Sequence, residues 1–439
     1  MDFVPNFIVF LLLFTLVGVS SVLKSRNTKE DYYLARSSVS PWLVGLSAVA
    51  TNNSGYMFIG VIGYTYSTGF AAIWLMIGWI VGDLIGSLMV HKKLRQVTEA
   101  TGQTSFVGTI SHWFGSNARQ WQILVAVISV TLMLAYAGAQ LVAGSKALHV
   151  LLGWPTWAGA VTGAIIVALY CLAGGIRASI WTDAAQSFVM IFAMGLLLVT
   201  AVNGAGGFTS VVDQMSAIDG FTDIFPPEQI FPGLSGLLFF IIGWLFAGFS
   251  VIGQPHVMVR FMTLDNTSNI VRARLWYYLW FTAFYLMATG VGMLSRIYIA
   301  DSGNFDAELA LPMMAQQLLH PIPASLILAG IFAATMSTAD SLLLSCSASI
   351  THDIMPHKIE KTWILRVVTL LITAAALLWA LFNSQSVFNL VIMAWSGLGS
   401  LFAGILIVLV LGARPTQTQM IAMSVSGLVV AVCWRLAGL

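Results

Sequence analysis

Residues 41–65 read PWLVGLSAVATNNSGYMFIGVIGYT, an apolar stretch long enough to cross a bilayer but interrupted in its middle. The interruption, TNNSG at 51–55, consists of five consecutive poor helix formers. Non-helical backbone at membrane depth persists only where protein or a water-filled cavity satisfies its hydrogen bonds, and the carbonyl groups freed there are natural cation ligands. The stretch therefore predicts a broken membrane helix.

The composition of the whole chain is that of a membrane protein. Of 439 residues, 58% are hydrophobic and 8% are charged, whereas soluble domains carry about 25% charged residues. The formal net charge of +2 offers no basic field for nucleic acid. Cys171, Cys346 and Cys433 lie far apart in apolar runs, a spacing that suggests neither a disulfide framework nor a zinc site. We therefore expect one all-α integral membrane bundle.

About twelve stretches are long enough to span a bilayer core of about 30 Å as helices. They cover residues 5–23, 41–65, 69–90, 120–149, 155–173, 179–203, 232–254, 273–299, 323–348, 362–382, 386–411 and 417–437, and are called spans one to twelve. The first stretch lacks the basic n-region and the small-residue cleavage site of a signal peptide, so we expect it to be retained.

The basic residues predict the orientation, because juxtamembrane Lys and Arg stay in the cytoplasm. Only Lys146, Arg296 and Arg435 fall on one side, where the loop 204–231 holds acidic and no basic residues. The other sixteen are assigned to the opposite, cytoplasmic side: Lys24, Arg26, Lys29, Arg36, Lys92, Lys93, Arg95, Arg119, Arg177, Arg260, Arg272, Arg274, Lys358, Lys361, Arg366 and Arg414. The N-terminus is therefore predicted outside. With twelve spans the C-terminus would lie outside too, an unusual arrangement that raises the expectation of a thirteenth span beyond residue 439.

Three acidic residues, Asp83, Asp183 and Asp340, fall inside predicted spans. A charge near the bilayer centre costs at least about 2.5 to 3.5 kcal/mol on insertion scales, so each is a functional candidate. Asp83 has no polar neighbour in the stretch GWIVGDLIG at 78–86, and we interpret it as a snorkelling or helix-packing acid.

Asp340 has several polar neighbours in span nine. Ser337, Ser341 and Ser345 recur every four residues and share one helical face, which Thr338 and Asp340 flank. Hydroxyl and carboxylate oxygens suit a small hard cation such as Na⁺ better than a soft metal. Interhelical hydrogen bonding by small polar residues is the alternative interpretation of the hydroxyls.

Span seven carries a second candidate interruption at Gly248, Gly253 and Pro255. Spans two and seven thus open successive five-helix sets, at 41–203 and 232–411. An odd number of helices places the sets in opposite orientations, the inverted-repeat arrangement of secondary transporters, in which solute and ion bind at broken helices. We expect a single transporter domain over 1–439, with an extra N-terminal helix at 5–23 and a C-terminal helix at 417–437.

Four motifs, in matching order, resemble the sodium:solute symporter family. They are LSAVATNNSG at 46–55, WTD at 181–183, GQPHVMVRF at 253–261 and MSTADS at 336–341. The third is most similar to the sodium/proline symporter branch. The resemblance extends from about residue 5 to residue 437 and implies a leucine-transporter-type fold with five plus five inverted helices, and a transporter without enzyme activity.

The resemblance also implies ion sites. The family's conserved sodium site corresponds here to the backbone carbonyls of Ala50, Asn53 and Ala334 and the side chains of Ser337 and Thr338. Members similar to the sialic acid symporter bind a second Na⁺, and the matching positions are Asp183, Ser337, Asp340 and Ser341. Asp340 stands where that pattern has a serine, so one Na⁺ or two are expected. Capping the start of span six is the alternative role for Asp183.

In this family the solute lies between the broken helices. The matching positions are Asn52, Ser54, Gly55, Tyr56, Tyr136, Gln140, Gly248 and Val251. The sodium/proline symporter has a tryptophan at the position of Tyr56, and a tryptophan and a tyrosine where this chain has Ala247 and Val251, which predicts a wider or differently polar pocket. The lack of a buried arginine argues against a strongly anionic solute.

We therefore predict Na⁺-coupled symport of a small organic solute, an amino acid such as proline or a related zwitterion or organic acid, across a bacterial inner membrane. The expected partners are the solute, Na⁺ and lipid. A sialic acid-like or pantothenate-like solute is one alternative, and proton coupling through Asp340 or Asp183 is another. A channel or sensor is a further one. A membrane enzyme would use the histidines, but no H-x-x-x-H or H-E-x-x-H pair occurs. The histidines at or near the predicted cytoplasmic side are His91, His112, His256, His352 and His357.

Overall fold

The computed structural model describes residues 3–24, 28–113, 118–227, 229–300, 305–355, 359, 361–382 and 386–437. Within these ranges the chain is helical without β-strands, and Val39 and Leu264 form an isolated bridge. Arg26, His357 and Lys358, which entered the sequence interpretation, lie outside the described residues, as does the side chain of Lys24.

All twelve predicted spans are helical. Their bounds are Phe3–Ser20 for span one, Pro41–Gly55 with Tyr56–Val61 and Ile62–Thr68 for span two, Ile73–Thr101 for span three, Arg119–Leu152 for span four, Thr156–Gly204 for spans five and six, Gly233–Phe249 with Ser250–Gly253 for span seven, Ile270–Tyr298 for span eight, Pro321–Ala348 for span nine, Thr362–Phe382 for span ten, Val387–Val410 for span eleven and Gln417–Leu436 for span twelve. Short helices at Lys29–Leu34, Phe106–Ser111, Phe208–Ser216, Pro255–Met262 and Ala310–Leu318 connect them.

Most of these helices are long and apolar enough to cross a membrane. In the described part of the chain nine stretches meet that requirement, one of them the 61-residue run Pro41–Thr101 that contains both span two and span three. Val4–Ser20 and Thr156–Leu169 are shorter apolar helices. Span three continues to Thr101, beyond its predicted end at 90; its last turns, HKKLRQVTEAT at 91–101, are polar, so a boundary drawn from hydropathy stops before them.

The predicted break in span two lies at Ser54. Its backbone has φ +49° and ψ 179°, a conformation that interrupts the helix, and a π-helical turn follows at Tyr56–Val61. Gly55 is packed so closely that an added Cβ would lie 2.8 Å from the side chains of Ala143 and Thr335. The TNNSG stretch therefore breaks the helix and also fits against spans four and nine.

Span seven is broken at the second predicted interruption. Its first half ends at Phe249, a 3₁₀ turn covers Ser250–Gly253, and Gln254 is extended with φ −97° and ψ 100°. Pro255 then starts the helix Pro255–Met262, a position where its missing N–H costs nothing. Both five-helix sets thus begin with a broken helix, and the chain has the five-plus-five architecture that the sequence predicted.

Span nine is the central helix. Every residue from Ile327 to Ala348 is buried. The helix packs against spans one, two, four, five and six, and continues into a π-helical turn at Ser349–Ile354. Its polar face is therefore held against the break of span two.

Candidate functional site

A cluster of oxygen atoms joins the break of span two to span nine. The Ser337 hydroxyl lies 3.0 Å from the carbonyl oxygens of both Ala50 and Ala334. The Thr338 hydroxyl lies 2.8 Å from the carbonyl of Thr51 and 3.2 Å from that of Ala334. Each hydroxyl has one proton, so only two hydroxyl protons are available to the five oxygens of this cluster, which are two hydroxyls and three carbonyls. A cation can compensate such a surplus of acceptors.

The structure brings four of the five residues predicted for the conserved sodium site into this cluster. The fifth, Asn53, contributes a carbonyl that accepts from the Tyr56 N–H, and no hydrogen bond of the described chain joins it to either hydroxyl. The Thr51 carbonyl, absent from the prediction, lies in contact with Thr338 instead. No sequence signal distinguishes these two carbonyls, because both precede the break by a few residues.

A second, charged cluster lies beside the first. Asp183 accepts hydrogen bonds from Ser47, at 2.6 Å, and from Ser179, at 3.5 Å. Asp340 accepts from Ser179, at 2.9 Å, and from Ser341, at 3.0 Å. Asp183 lies well inside span six, eight residues beyond the kink at Gly175, so the alternative that it caps this helix is wrong.

Arg260 lies between these acids. Its guanidinium donates to the hydroxyls of Ser179 and Ser341, lies 3.3 Å from Asp183 Oδ2 and lies 3.8 Å from Asp340 Oδ1. The side chain is 0% exposed.

Two sequence-based expectations about arginine are therefore wrong. Arg260 does not lie in an exposed juxtamembrane loop, and the core does contain a buried arginine. The physical reason is that the helix Pro255–Met262, which follows the break of span seven, packs into the bundle instead of leaving it. The positive-inside argument counts position along the chain and cannot see this folding back.

Four of the predicted solute residues lie together. Gln140 Oε1 accepts from the Gly55 N–H at 2.7 Å, and the Tyr136 hydroxyl lies 3.4 Å from Ser54 Oγ. These contacts join span four to the break of span two. The buried backbone N–H of Gly55 at the helix break is thereby paired with a side-chain carbonyl oxygen.

Tyr56 forms an aromatic wall beside this group. Its ring lies 5.3 Å from that of Phe388 and 5.4 Å from that of Trp79, between centroids. The ring is buried, and its hydroxyl has no hydrogen bond within the described residues. Val251 is buried in the 3₁₀ turn of span seven.

Asn52 and Gly248, the other two predicted solute residues, contact span three and span eight. The Asn52 amide donates to Asp83 Oδ2 at 3.1 Å and to the hydroxyl of Tyr277. Gly248 packs on span three so closely that a Cβ there would collide with the backbone carbonyl of Trp79. Asn52 and Gly248 therefore have contacts other than the Gln140 group to which they were predicted to belong.

Asp83 is not the isolated acid that its sequence context predicts. It is 0% exposed and accepts hydrogen bonds from Tyr277 at 2.8 Å and Tyr278 at 2.7 Å, as well as from Asn52. Of its two expected roles, snorkelling is wrong, because snorkelling requires the charge to reach water, whereas hydrogen bonds to spans two and eight fit the helix-packing role. Asn52, Tyr277 and Tyr278 come from spans two and eight and are not visible from the neighbouring sequence, while Ser87, one turn further along span three, donates at 3.3 Å.

His256, which the sequence places at or near the cytoplasmic side, is a further candidate for contact with the solute. It is 0% exposed, inside the bundle, and meets the Tyr136 ring edge-on at 5.3 Å. Both of its ring nitrogens lack a hydrogen bond within the described residues, as does Gln140 Nε2. Buried polar atoms without partners are costly, so these atoms are the natural contacts for a polar ligand. The motif GQPH was the only available signal.

Comparison with known proteins agrees with this architecture. The model of the sodium:solute symporter family matches residues 32–425. The sodium/proline symporter of Salmonella typhimurium is 28% identical over 99% of this chain and 88% of its own length. The high-affinity proline transporter PutP of Bacillus subtilis is 28% identical over 97% of this chain and 90% of its own.

Solved structures show the fold. A Na⁺-coupled sialic acid symporter, in a substrate-bound outward-open state, superimposes with a TM-score of 0.77 at 20% identity, covering 98% of this chain and 96% of its own. Mhp1, a nucleobase-cation-symport-1 family transporter, superimposes with a TM-score of 0.59 at 15% identity and 92% coverage of both chains. The fold is therefore of the leucine-transporter type.

Proposed function

The chain belongs to the sodium:solute symporter family, and on that premise we propose that it carries a small organic solute into the cytoplasm together with Na⁺ by alternating access. The family and the apolar helices make it a multi-pass membrane transporter. The observation that carries the proposal is the oxygen cluster between the break of span two and span nine. Its hydroxyls and carbonyls are held by the fold, and hydroxyl and carbonyl oxygens suit a hard cation.

We propose that Na⁺ binds to the carbonyls of Ala50, Asn53 and Ala334 and the hydroxyls of Ser337 and Thr338, with the Thr51 carbonyl as a further ligand. The ion would contact the carbonyl oxygens to which the two hydroxyl groups now donate their protons. Because its ligands come from both five-helix sets, proposed at 41–203 and 232–411, binding would pin the sets together. Na⁺ would thereby favour one conformation of the transporter, and by linkage solute and Na⁺ would raise each other's affinity equally.

The proposed solute is a small zwitterion such as proline. The unpaired Gln140 Nε2, the Tyr56 hydroxyl and His256 would contact its polar groups, and Ser54, Gly55, Tyr136 and Val251 would complete the pocket. Asn52 and Gly248 would shape the pocket indirectly, through Asp83 and through close packing on span three. The buried Arg260 lies within 4 Å of two carboxylates, which compensate its positive charge and so weaken its attraction for an anionic solute.

The proposed location is a bacterial inner membrane with the N-terminus outside. It follows from the distribution of Lys and Arg over the loops. Removing Arg260 from the juxtamembrane count leaves that asymmetry large, so the proposal does not depend on it.

Uptake of radiolabelled L-proline into proteoliposomes would test this function. We expect accumulation with an inward Na⁺ gradient and none with a matched K⁺ gradient. Ser337→Ala and Thr338→Ala should weaken the Na⁺ dependence, while Ser345→Ala, on the same helix two turns further on, is the matched control. N-acetylneuraminate and pantothenate should be tried in parallel. Uptake of any of them that is indifferent to Na⁺ and follows a pH gradient would contradict Na⁺ coupling.

A further inference from the structure

We propose that the guanidinium of Arg260 is a built-in cation, which permanently occupies the position among Asp183, Asp340 and Ser341 where a second Na⁺ would bind. This inference rests on the proposed function, because it concerns how many Na⁺ ions accompany each solute. Its consequence is that the transporter binds one Na⁺ per cycle, at the Ser337–Thr338 cluster.

The oxygens predicted to bind a second ion already have a cationic partner. Arg260 Nη2 reaches Asp183 and Ser341 directly and lies 3.8 Å from Asp340. Ser179 adds a further hydroxyl that bridges the guanidinium and Asp340. An ion among the same oxygens would meet a like charge at contact distance, where repulsion is strongest.

The fourth predicted ligand is engaged elsewhere. The Ser337 hydroxyl faces the carbonyls of Ala50 and Ala334, in the first cluster. Its own carbonyl accepts from the Ser341 hydroxyl at 2.5 Å. The two clusters therefore share Ser337 through its backbone, while its side chain serves only the first.

Burial makes the guanidinium difficult to displace. Arg260 and Asp183 are each 0% exposed and Asp340 is 1% exposed. A buried carboxylate without a compensating charge is costly, so withdrawal of the arginine would leave two such groups at once. The three charges come from spans six and nine and from the helix after the break of span seven, so the cluster also ties these elements together.

Asp340 adds a second carboxylate to the cluster. With it the cluster has two carboxylates for one guanidinium, and one oxygen of each carboxylate, Asp183 Oδ1 and Asp340 Oδ2, has no hydrogen bond in the described chain. With both carboxyl groups ionised, the two acids outnumber the one guanidinium, and the excess negative formal charge acts on the adjacent neutral cluster. The hydroxyls of Thr51 and Ser341, 3.1 Å apart, mark where the two meet. One Na⁺ at Ser337 and Thr338 would balance that charge.

Counting bound ²²Na⁺ on purified protein, by scintillation proximity with the protein concentration known, tests the inference. We expect one Na⁺ per chain in the wild type, and none after the double change Ser337→Ala and Thr338→Ala. Two Na⁺ per chain in the wild type, with one lost in Asp183→Asn, would overturn the inference and leave the proposed function intact. No bound Na⁺ in the wild type would overturn the proposed function, and this inference with it.

A variant that empties the position provides the second readout. The double change Arg260→Ala and Asp340→Ser removes the guanidinium and restores the serine of the two-ion pattern, and it leaves a single buried carboxylate. We expect the count to rise from one Na⁺ to two. A folded double variant that still binds one Na⁺ would show that the guanidinium does not exclude a second ion. Arg177→Ala, which breaks the ion pair with Asp31, is the matched control and should still bind one Na⁺ per chain. If the double variant does not fold, the wild-type count alone decides.

Discussion

Two neighbouring clusters in the core contain similar hydroxyl groups but differ in charge. The cluster around Ser337 and Thr338 contains only neutral oxygens, and a cation could replace the two hydroxyl protons among them without displacing a charged group. The cluster around Asp183 and Asp340 contains two acids, and the protein supplies its cation, Arg260. An exchangeable ion site requires oxygens that the protein orients but does not itself neutralise, and only the first cluster meets that requirement.

The largest expected effect comes from removing the internal cation. Arg260→Ala should lower the free energy of unfolding by about 3 to 5 kcal/mol, because two buried carboxylates lose their partner. Chemical denaturation in detergent would measure the loss. Replacing all three charges, as Arg260→Met with Asp183→Asn and Asp340→Ser, should restore most of the stability. A stable Arg260→Ala protein would contradict the buried charge cluster.

The neutral cluster should respond in the opposite way. Ser337→Ala removes one neutral oxygen, so stability should change little, while Na⁺ affinity should fall by roughly 10- to 100-fold, since a hydrogen bond or contact to a charged group contributes about 1.5 to 3 kcal/mol. Thr338→Ala should behave alike. Thermal stabilisation by Na⁺ over a titration would measure both. If Ser337→Ala lowered the free energy of unfolding by as much as it lowered the free energy of Na⁺ binding, the two clusters would not differ in the way described.

A smaller effect should reveal the field that one cluster exerts on the other. Asp340→Ser removes one negative charge beside the neutral cluster and should lower Na⁺ affinity on the order of tenfold, because charges interact strongly in a low-dielectric core. The matched variant Ser345→Ala, also in span nine, should leave Na⁺ affinity unchanged. An unchanged Na⁺ affinity in Asp340→Ser would show that the excess charge does not assist ion binding.

The smallest effect is expected at the proposed solute contacts. Tyr56→Phe removes a hydroxyl that has no partner in the described chain, so stability and Na⁺ affinity should not change. The apparent KM for L-proline should rise by roughly 2- to 12-fold, which corresponds to one neutral hydrogen bond of about 0.5 to 1.5 kcal/mol. Uptake kinetics at saturating Na⁺ would measure it. A fall in Na⁺ affinity alone would place Tyr56 with the ion site.

Both helix breaks were predictable because their causes are local. TNNSG at 51–55 is poor in helix formers, and Gly253 and Pro255 interrupt span seven. The structure places the breaks at Ser54 and between Phe249 and Pro255. The residues predicted for the conserved sodium site are also mostly brought together, because the same two motifs supply them. That they bind Na⁺ stays a prediction.

The partners of the buried charges could not be predicted in this way. Asp83 has no polar neighbour in the stretch 78–86 of its own span, yet spans two and eight provide three hydrogen-bond donors, in addition to Ser87 of span three. His256 and Arg260 follow a break and precede a loop by position, yet both are fully buried. Hydropathy records how apolar a segment is, and it contains no information on which face meets which neighbour.

The sequence by itself determined the membrane environment, the twelve helices, their two interruptions and the family, because hydropathy, helix propensity and short motifs are properties of neighbouring residues. Only the tertiary structure decided that Arg260 meets Asp183, 77 positions away, and that Ser341 meets Thr51, 290 positions away. The physical reason is that a buried charge is stable only beside a partner, and packing of distant helices decides which partner it has.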